Sequence, residues 1–393
     1  MRDVVIVNGA RTPIGKFGGA LKDLSAAELA AIAMRAAMER SGVSADEVDE
    51  VIFGQVNQAA DSGYMARKAA LAAGIPQHAP AMTVNRACSS GLEAINMAAW
   101  AVMTGSAEVV VAGGAESMSG APYLLPGARF GLRYGDATVV DSMLTGLTCP
   151  INHYHMGVTA ENVAARYEVS RQDQDALALA SHQRAVAAQR EGRFDGQIAP
   201  VRVPQRRGPD IVIDRDEHPR ADTTLEALAH LPPAFKEGGT VTAGNAAGLN
   251  DAAAAVVVMS AERAKAQGLT PRLRWVARGA AGVDPAYMGT GPVPATRKVL
   301  EQTGMSLGDM DLIEMNEAFA AQALYVIREL GMDMERTNVN GSGISLGHPI
   351  GATGAIMVVK LMDELARRDG GFGLATLCVG GGQGISTIFG RMA

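Results

Sequence analysis

Four residues have the side-chain types and surroundings that covalent and proton-transfer chemistry needs. Cys88 stands in NRACSSG (85–91), just before an apolar-periodic run that reads as a helix. A thiol there feels the positive end of the helix dipole, which favours the thiolate and so nucleophilicity. An inert buried cysteine is the alternative that the local sequence leaves open. His348 stands in SLGHPIGATG (345–354), where Gly347, Gly351 and Gly354 call for tight turns or close backbone approach. A neutral imidazole within reach of Cys88 could take its proton; a histidine that caps a turn is the plainer reading. Cys378 ends the apolar stretch LATLCVGGG (374–382) and precedes Gly380, Gly381 and Gly382, whose bare N–H groups could stabilise an oxyanion. Asn316 follows a short strand and precedes a helix expected over 317–330, so it reads first as an N-cap and second as a group that positions a water.

Two other chemistries fit poorly. Positions 88, 348 and 378 contain no CxxC or HxxxH pair, so a metal site is not expected. GGGQG (380–384) is not a GxGxxG turn with an acidic ribose partner, which argues against a dinucleotide site.

The elements that must position these residues alternate between strand and helix. Residues 4–7 read as a buried strand, and Ser25–Glu28 as the capping box of a helix that runs to about residue 40. Strands are expected at 51–53, 109–112, 252–259 and 312–315. A helix from Ser89 carries Leu92, Ile95, Ala99, Val102 and Met103 on one stripe and stops at Gly105. Such alternation implies a largely parallel sheet covered on both faces. Residues 118–250 are broken by nine prolines and hold two helical stretches, near 159–167 and 170–190, so they read as a loop-rich insertion. SGVSADEVDEVIF (41–53) aligns without gaps on TGMSLGDMDLIEM (303–315), and a gapped echo pairs VAGGAE (111–116) with VGGGQG (379–384). Two copies of one α/β unit follow from this, the first carrying the insertion. The expected domains are residues 1–117 with a strand return at 251–270, a loop domain at 118–250, and a second unit at 271–393.

Composition narrows the class further. The chain has 393 residues, 35 Lys+Arg against 41 Asp+Glu, 46 glycines, 20 methionines and only 4% aromatics. A formal net charge of −6 gives no electrostatic reason to bind nucleic acid or an anionic membrane. The longest apolar run, 252–259, is far too short to span a bilayer, and Asp3 and Asn8 interrupt any signal-peptide pattern. Three cysteines are not a disulfide framework and fit a reducing cytoplasm.

Taken together, NRACSSG (85–91), GGAESMS (113–119), YHMGVTAENVA (154–164), VTAGNAAGLNDAAAA (241–255), NEAF (316–319), GHPIGATGA (347–355) and CVGGGQG (378–384) resemble the thiolase family end to end and in order. The likeness is strongest to its short-chain biosynthetic β-ketothiolases, or acetyl-CoA C-acetyltransferases. It implies an α/β fold of two repeated units forming a five-layered α-β-α-β-α body with an inserted loop domain, assembled as a homotetramer. It also implies reversible thioester Claisen condensation of two acetyl-CoA, or of acyl-CoA plus acetyl-CoA, to 3-ketoacyl-CoA and CoA. By the resemblance Cys88 is the acylated nucleophile, His348 its activator, Cys378 the second acid/base thiol and Asn316 the holder of a water. One oxyanion hole comes from His348 and the Asn316 water, the other from the backbone amides of Cys88 and Gly380. The resemblance places CoA and acyl contacts at His155, Met156, Arg220, Phe235, Ala243, Ala247, Leu249, Ala318 and Phe319, with no cofactor or metal beyond the CoA thioester substrates. Ala247 and Ala227 replace serines usual in short-chain relatives, so weaker CoA binding is expected. A degradative 3-ketoacyl-CoA thiolase of longer chains, a decarboxylating synthase or thioesterase, and a non-catalytic acyl-CoA-binding relative are the rival readings. The thiol at Cys378 argues against the second, and the presence of all four reactive residues against the third.

Overall fold

The computed structural model describes residues 2–61, 63–205 and 207–392. β1 (Val4–Arg11) is a β-branched run buried on both faces. α1 (Ala26–Ser41) starts at the capping box read from the sequence: Ser25 Oγ accepts from the Glu28 N–H (3.3 Å), and Glu28 Oε2 accepts from the Ser25 N–H (2.8 Å). β2 (Glu50–Gly54), α2 (Met65–Ala72), β3 (Ala81–Val84), α3 (Ser90–Thr104) and β4 (Val109–Ser117) complete the first run. The chain then leaves the sheet through α4 (Met156–Arg166), α5 (Arg171–Arg190) and two small two-stranded sheets. β5 (Asn250–Ser260) returns to pair antiparallel with β1 and β4. The second run holds β6 (Leu273–Gly282), α6 (Pro292–Thr303), β7 (Leu312–Met315), α7 (Ala320–Leu330), α8 (Thr353–Arg368), β8 (Phe372–Val379) and β9 (Gln383–Arg391).

The gapless repeat is one structural joint used twice. α1 ends at Gly42 and α6 at Gly304, each at φ 66° in the left-handed region, as a C-terminal stop requires. Next, the Ser44 N–H donates to Glu47 and the Ser306 N–H to Asp309, and the chain enters β2 and β7 respectively. The second echo does not hold. Glu50 of β2 faces Val110 of β4, and Leu312 of β7 faces Gly373 of β8, so Val111 corresponds to Leu374 and VGGGQG lies five residues too late. The two glycine runs have different jobs. Gly113 and Gly114 sit inside a strand against other backbone, whereas Gly381 and Gly382 make a turn at φ 83° and 85°.

The strands bond in the order β7-β8-β9-β6-β1-β5-β4-β2-β3, so the halves mirror each other about a β6–β1 seam of two registered pairs, Val5–Arg274 and Ile6–Leu273. Side-chain alternation along each strand sorts the layers. Val110 and Ala112 of β4 face inward with Leu92, Ile95 and Val102 of α3, Ile356 and Val359 of α8, and Leu377 and Val379 of β8. Val109 and Val111 face outward against α1 and α2. On the far side, Ile313, Met315 and Leu374 pack on α6 and α7 through Val299, Ala323 and Val326. The result is five layers: α1 and α2, the first half-sheet, α3 with α8, the second half-sheet, α6 and α7.

Three features depart from the sequence reading. The sheet expected to be largely parallel is mixed: β1–β5, β4–β5, β1–β6, β6–β9 and β8–β9 pair antiparallel, while β2–β3, β2–β4 and β7–β8 pair parallel. The parallel pairs are those joined through helices, because parallel neighbours need a crossover connection. The strand expected at 109–112 continues to Ser117, because β5 pairs with it across nine positions. The helix expected from Glu317 begins at Ala320 with Phe319 as its cap, so Asn316 is not an N-cap.

The insertion is tied to the body by a fully buried ion pair. Arg11 on β1 donates from Nη1 and Nη2 to Asp216 (2.7 and 2.9 Å), both side chains being 0% exposed, and Asp216 also accepts from the Ile14 N–H (2.8 Å). Removing one partner strands the other charge in the core. Asp216→Ala should therefore lower unfolding free energy by about 3–5 kcal/mol, read from denaturant midpoints. A loss below about 1 kcal/mol, the range of an exposed pair, would contradict the anchoring role.

Candidate active site

Cys88 sits at the mouth of the first half, between β3 and the N-terminus of α3. Ala87, just before it, is held at φ 42°, an unusual conformation for a residue with a side chain that turns the chain abruptly into the helix. The second half contributes the rest. Asn316 follows β7, Cys378 is the penultimate residue of β8, Gly380 begins the turn to β9, and His348 lies in the loop before α8. This gathers the ends of the two central helices and of strands from both half-sheets at one edge, a usual place for sites in α/β folds.

His348 is buried and its orientation is fixed from three directions. Its backbone N–H donates to Asn250 Oδ1 (2.9 Å), and its Nδ1 lies 2.7 Å from Thr353 Oγ1. Where Thr353 gives its single hydroxyl proton to the Pro349 carbonyl (3.0 Å), Nδ1 is the donor to Thr353. Nε2 then keeps its lone pair. Asn316 Nδ2 stands 3.4 Å from that nitrogen and 3.5 Å from Nδ1, and Asn316 Oδ1 is buried without a protein partner. Burial lowers the imidazole to about 4, so the ring is neutral at neutral pH.

The thiols are also neutral. Burial pushes Cys88 up to about 11; the backbone N–H groups of Gly380 and Cys88 pull it down, and the charge of Glu116 pushes it up again. The helix-terminus argument therefore does not yield a resting thiolate, because loss of hydration outweighs the two backbone hydrogen bonds to the sulfur. Those two amides nonetheless point at the sulfur, the direction needed to hold an oxyanion on a group attached there. Cys378 is raised further, first by burial and then by Cys88, which places the two sulfurs in one electrostatic neighbourhood.

A cavity of about 590 Å³ opens over Cys88, His348 and Gly380. All nine residues expected at the CoA and acyl contacts line it: His155, Met156, Arg220, Phe235, Ala243, Ala247, Leu249, Ala318 and Phe319. Cys378 and Asn316 do not. Both are fully buried; Asn316 backs His348, and Cys378 lies among Met156, Phe235 and Phe319 behind the cavity wall. His155 caps α4 by accepting from the Gly157 N–H (3.0 Å) and stacks on Phe235 at 4.7 Å, an approach that any Cβ at Gly157 would block. Phe319 meets Phe235 edge-on at 5.9 Å. Ala227 and Ala247 put methyl groups on the wall.

Sequence reasoning missed several parts. His182 and His218 line the outer cavity beside Arg220, both lowered to about 4 by burial and so uncharged, which leaves Arg220 as the single cationic wall residue among those described. No spacing links these histidines in the sequence. Thr353 and Asn250 lay inside quoted motifs, but only the fold shows that they hold His348. Among the described residues no cluster of three or more His, Cys, Asp or Glu could hold a metal ion.

Models of known families match this arrangement across the chain: the N-terminal domain of thiolase at residues 4–262 and its C-terminal domain at 269–391. The chain belongs to the thiolase family. It is 55% identical to an acetyl-CoA acetyltransferase of Pseudomonas aeruginosa and 55% identical to the beta-ketothiolase BktB of Cupriavidus necator, covering 100% of both chains in each case. It also superposes on human mitochondrial 3-ketoacyl-CoA thiolase in complex with CoA, with a TM-score of 0.96 and 44% identity over 100% of this chain and 98% of that one.

The charge state of the site makes a pH prediction. With the thiol near 11 and the imidazole neutral above about 4, the thiolate fraction at rest rises with pH throughout the neutral and alkaline range. Alkylation of Cys88 by iodoacetamide should accelerate about tenfold per pH unit from pH 7 to 9. A rate already level at pH 7 would show a resting thiolate–imidazolium pair and contradict this description.

Proposed function

We propose that this protein is an acetyl-CoA acetyltransferase that joins two acetyl-CoA, or an acyl-CoA and acetyl-CoA, into a 3-ketoacyl-CoA through an acyl-Cys88 intermediate. One observation carries the reading: Cys88 and a neutral His348 line one cavity of about 590 Å³, with the fully buried thiol of Cys378 in the same electrostatic neighbourhood. Cys88 passes its proton to His348 Nε2 as its sulfur attacks the first thioester carbonyl. The C–S bond to CoA breaks, Cys378 protonates the departing sulfur, and acetyl remains on Cys88. The thiolate left at Cys378 is strongly basic because it is buried, which suits removal of the α-proton of a second acetyl-CoA. The resulting carbanion attacks the acetyl carbonyl, the bond to Cys88 breaks, and His348 returns the proton to Cys88. The amides of Cys88 and Gly380 are aimed to stabilise the oxyanion on the Cys88-bound group, and His348 with a water on Asn316 that of the enolate. Every step reverses, giving CoA-dependent cleavage of the ketoacyl chain.

No resident cofactor enters this scheme; CoA thioesters are the substrates, held along Met156, Ala243, Ala247, Leu249 and Ala318 with His155, Phe235 and Phe319 around the arm and Arg220 towards the nucleotide. A relative solved in complex with CoA supports CoA as the ligand. A homotetramer is supported by the exposed apolar side chains at 123–134, Phe130 at 86% and Tyr134 fully exposed among them. No described helix is long and apolar enough to cross a membrane, which agrees with the cytoplasmic placement proposed from the cysteine pattern.

Cys378→Ala tests the division of labour. A CoA thiolate can leave without Cys378, because it can take its proton from His348 or water, whereas a carbon acid needs a base in place. Acetoacetyl-CoA formation should fall by about 10²–10⁴-fold, and acetyl-CoA/CoA exchange by much less. Equal losses in the two assays would remove Cys378 from its specific role in carbanion formation.

A further inference from the structure

The mechanism leaves one buried acid beside the nucleophile unused. Glu116, in GGAESMS on β4, is 0% exposed and its carboxylate accepts three backbone N–H groups from two loops. Oε2 takes the Val56 N–H at 3.0 Å and the Gly351 N–H at 2.9 Å, and Oε1 takes the Asn57 N–H at 3.1 Å. Val56 and Asn57 leave the end of β2 in the first half. Gly351 lies three residues beyond His348 in the second half, in the turn that starts α8. The two loops thus meet on one carboxylate, and Glu116 is close enough for its charge to act on Cys88.

The surrounding backbone is shaped for that meeting. A Cβ on Gly351 would lie 2.6 Å from Glu116 Oε2 and 2.9 Å from the Ala115 carbonyl; one on Gly114 would lie 2.1 Å from the Gly351 carbonyl, and one on Gly91 2.9 Å from the same oxygen. Three glycines from β4, α3 and the His348 loop therefore touch without side chains between them. A carboxylate is the one side chain of this length that offers only acceptors to three converging N–H donors. The amide of a glutamine would turn an NH₂ on at least one of them.

We propose that Glu116 is a positioning residue of the reaction, fastening the His348 loop of the second half to the first half so that Nε2 is held at the Cys88 thiol. It touches no substrate and acts through His348. The inference rests on the roles given above to Cys88 and His348, and it assigns to Glu116 the geometry those roles require.

The test is the kinetics of acetyl-CoA/CoA exchange at pH 8, above the value of about 7 to which burial pushes the Glu116 carboxyl, with wild type, Glu116→Gln, Glu116→Asp, Gly351→Ala, His348→Ala and the Glu116→Gln/His348→Ala double variant. Glu116→Gln is expected to lower kcat by about 10- to 100-fold with KM for acetyl-CoA within about twofold. Glu116→Asp should recover part of the loss, and Gly351→Ala should reproduce it. In the His348→Ala background, Glu116→Gln should cost less than about twofold more, because the group it positions is already gone. A raised KM with unchanged kcat, or the same fold-loss in both backgrounds, overturns the proposal. Should Glu116→Gln not fold, Gly351→Ala decides, and wild-type kcat in that variant overturns the proposal too. A His348→Ala enzyme that exchanges at the wild-type rate would instead sink the catalytic reading on which the inference rests.

Discussion

The contact of the His348 loop with β4 and α3 is the constraint on which the remaining structure depends. Cys88, the proposed nucleophile, belongs to the first half of the chain, and His348, Cys378 and Asn316 belong to the other. Neither half could hold all four. The halves meet through a short β6–β1 seam and through α3 packed on α8, and at the top of those helices the approach is backbone on backbone, with the Gly351 carbonyl against Gly91 and Gly114. Had either position carried even a methyl group, the loop would have to stand off. The distance between proton donor and acceptor would open with it, and proton transfer does not tolerate such displacement. The five-layer body is thus the device by which two rigid units present one site.

Burial sets the chemistry of that site. His348 and Cys378 are buried and Cys88 partly so, and every one of them is pushed towards its uncharged form. The resting site therefore carries protons on both sulfurs and a free lone pair on the imidazole, and charge appears only as bonds change. In the proposed reaction, fixed backbone dipoles at Cys88 and Gly380 would meet the developing oxyanion without having to reorganise. Thr353 matters for the same reason. With its own proton given to Pro349, it accepts from Nδ1, the tautomer that leaves the Nε2 lone pair free for the proposed proton transfer.

Much of this was legible in the sequence, for identifiable reasons. Capping boxes and C-terminal glycines are local, so α1, α3 and the joint repeated at 41–53 and 303–315 could be read directly. Cys88, His348 and Cys378 stood out because a cysteine before a helix, a histidine among glycines and a thiol before three glycines are rare local patterns. Non-local facts were hidden. The true length of β4 depends on its pairing with β5, and the false echo at 379–384 arose because glycine serves turns and close packing alike. Asn316 resembled an N-cap because a strand–helix joint usually needs one, yet Phe319 holds that position and the asparagine turns to His348. His182 and His218 come together only when α5 folds against the loop that carries Arg220.

The central claim is that the first half supplies the sole acylated residue and the second half everything that activates it. Incubating the enzyme with acetyl-CoA, quenching in acid and mapping peptides by mass tests this most directly. The account predicts an acetyl group on the peptide containing Cys88, and no stable acetylation in Cys88→Ala. Acetyl at higher occupancy on Cys378 or Cys149 would contradict it.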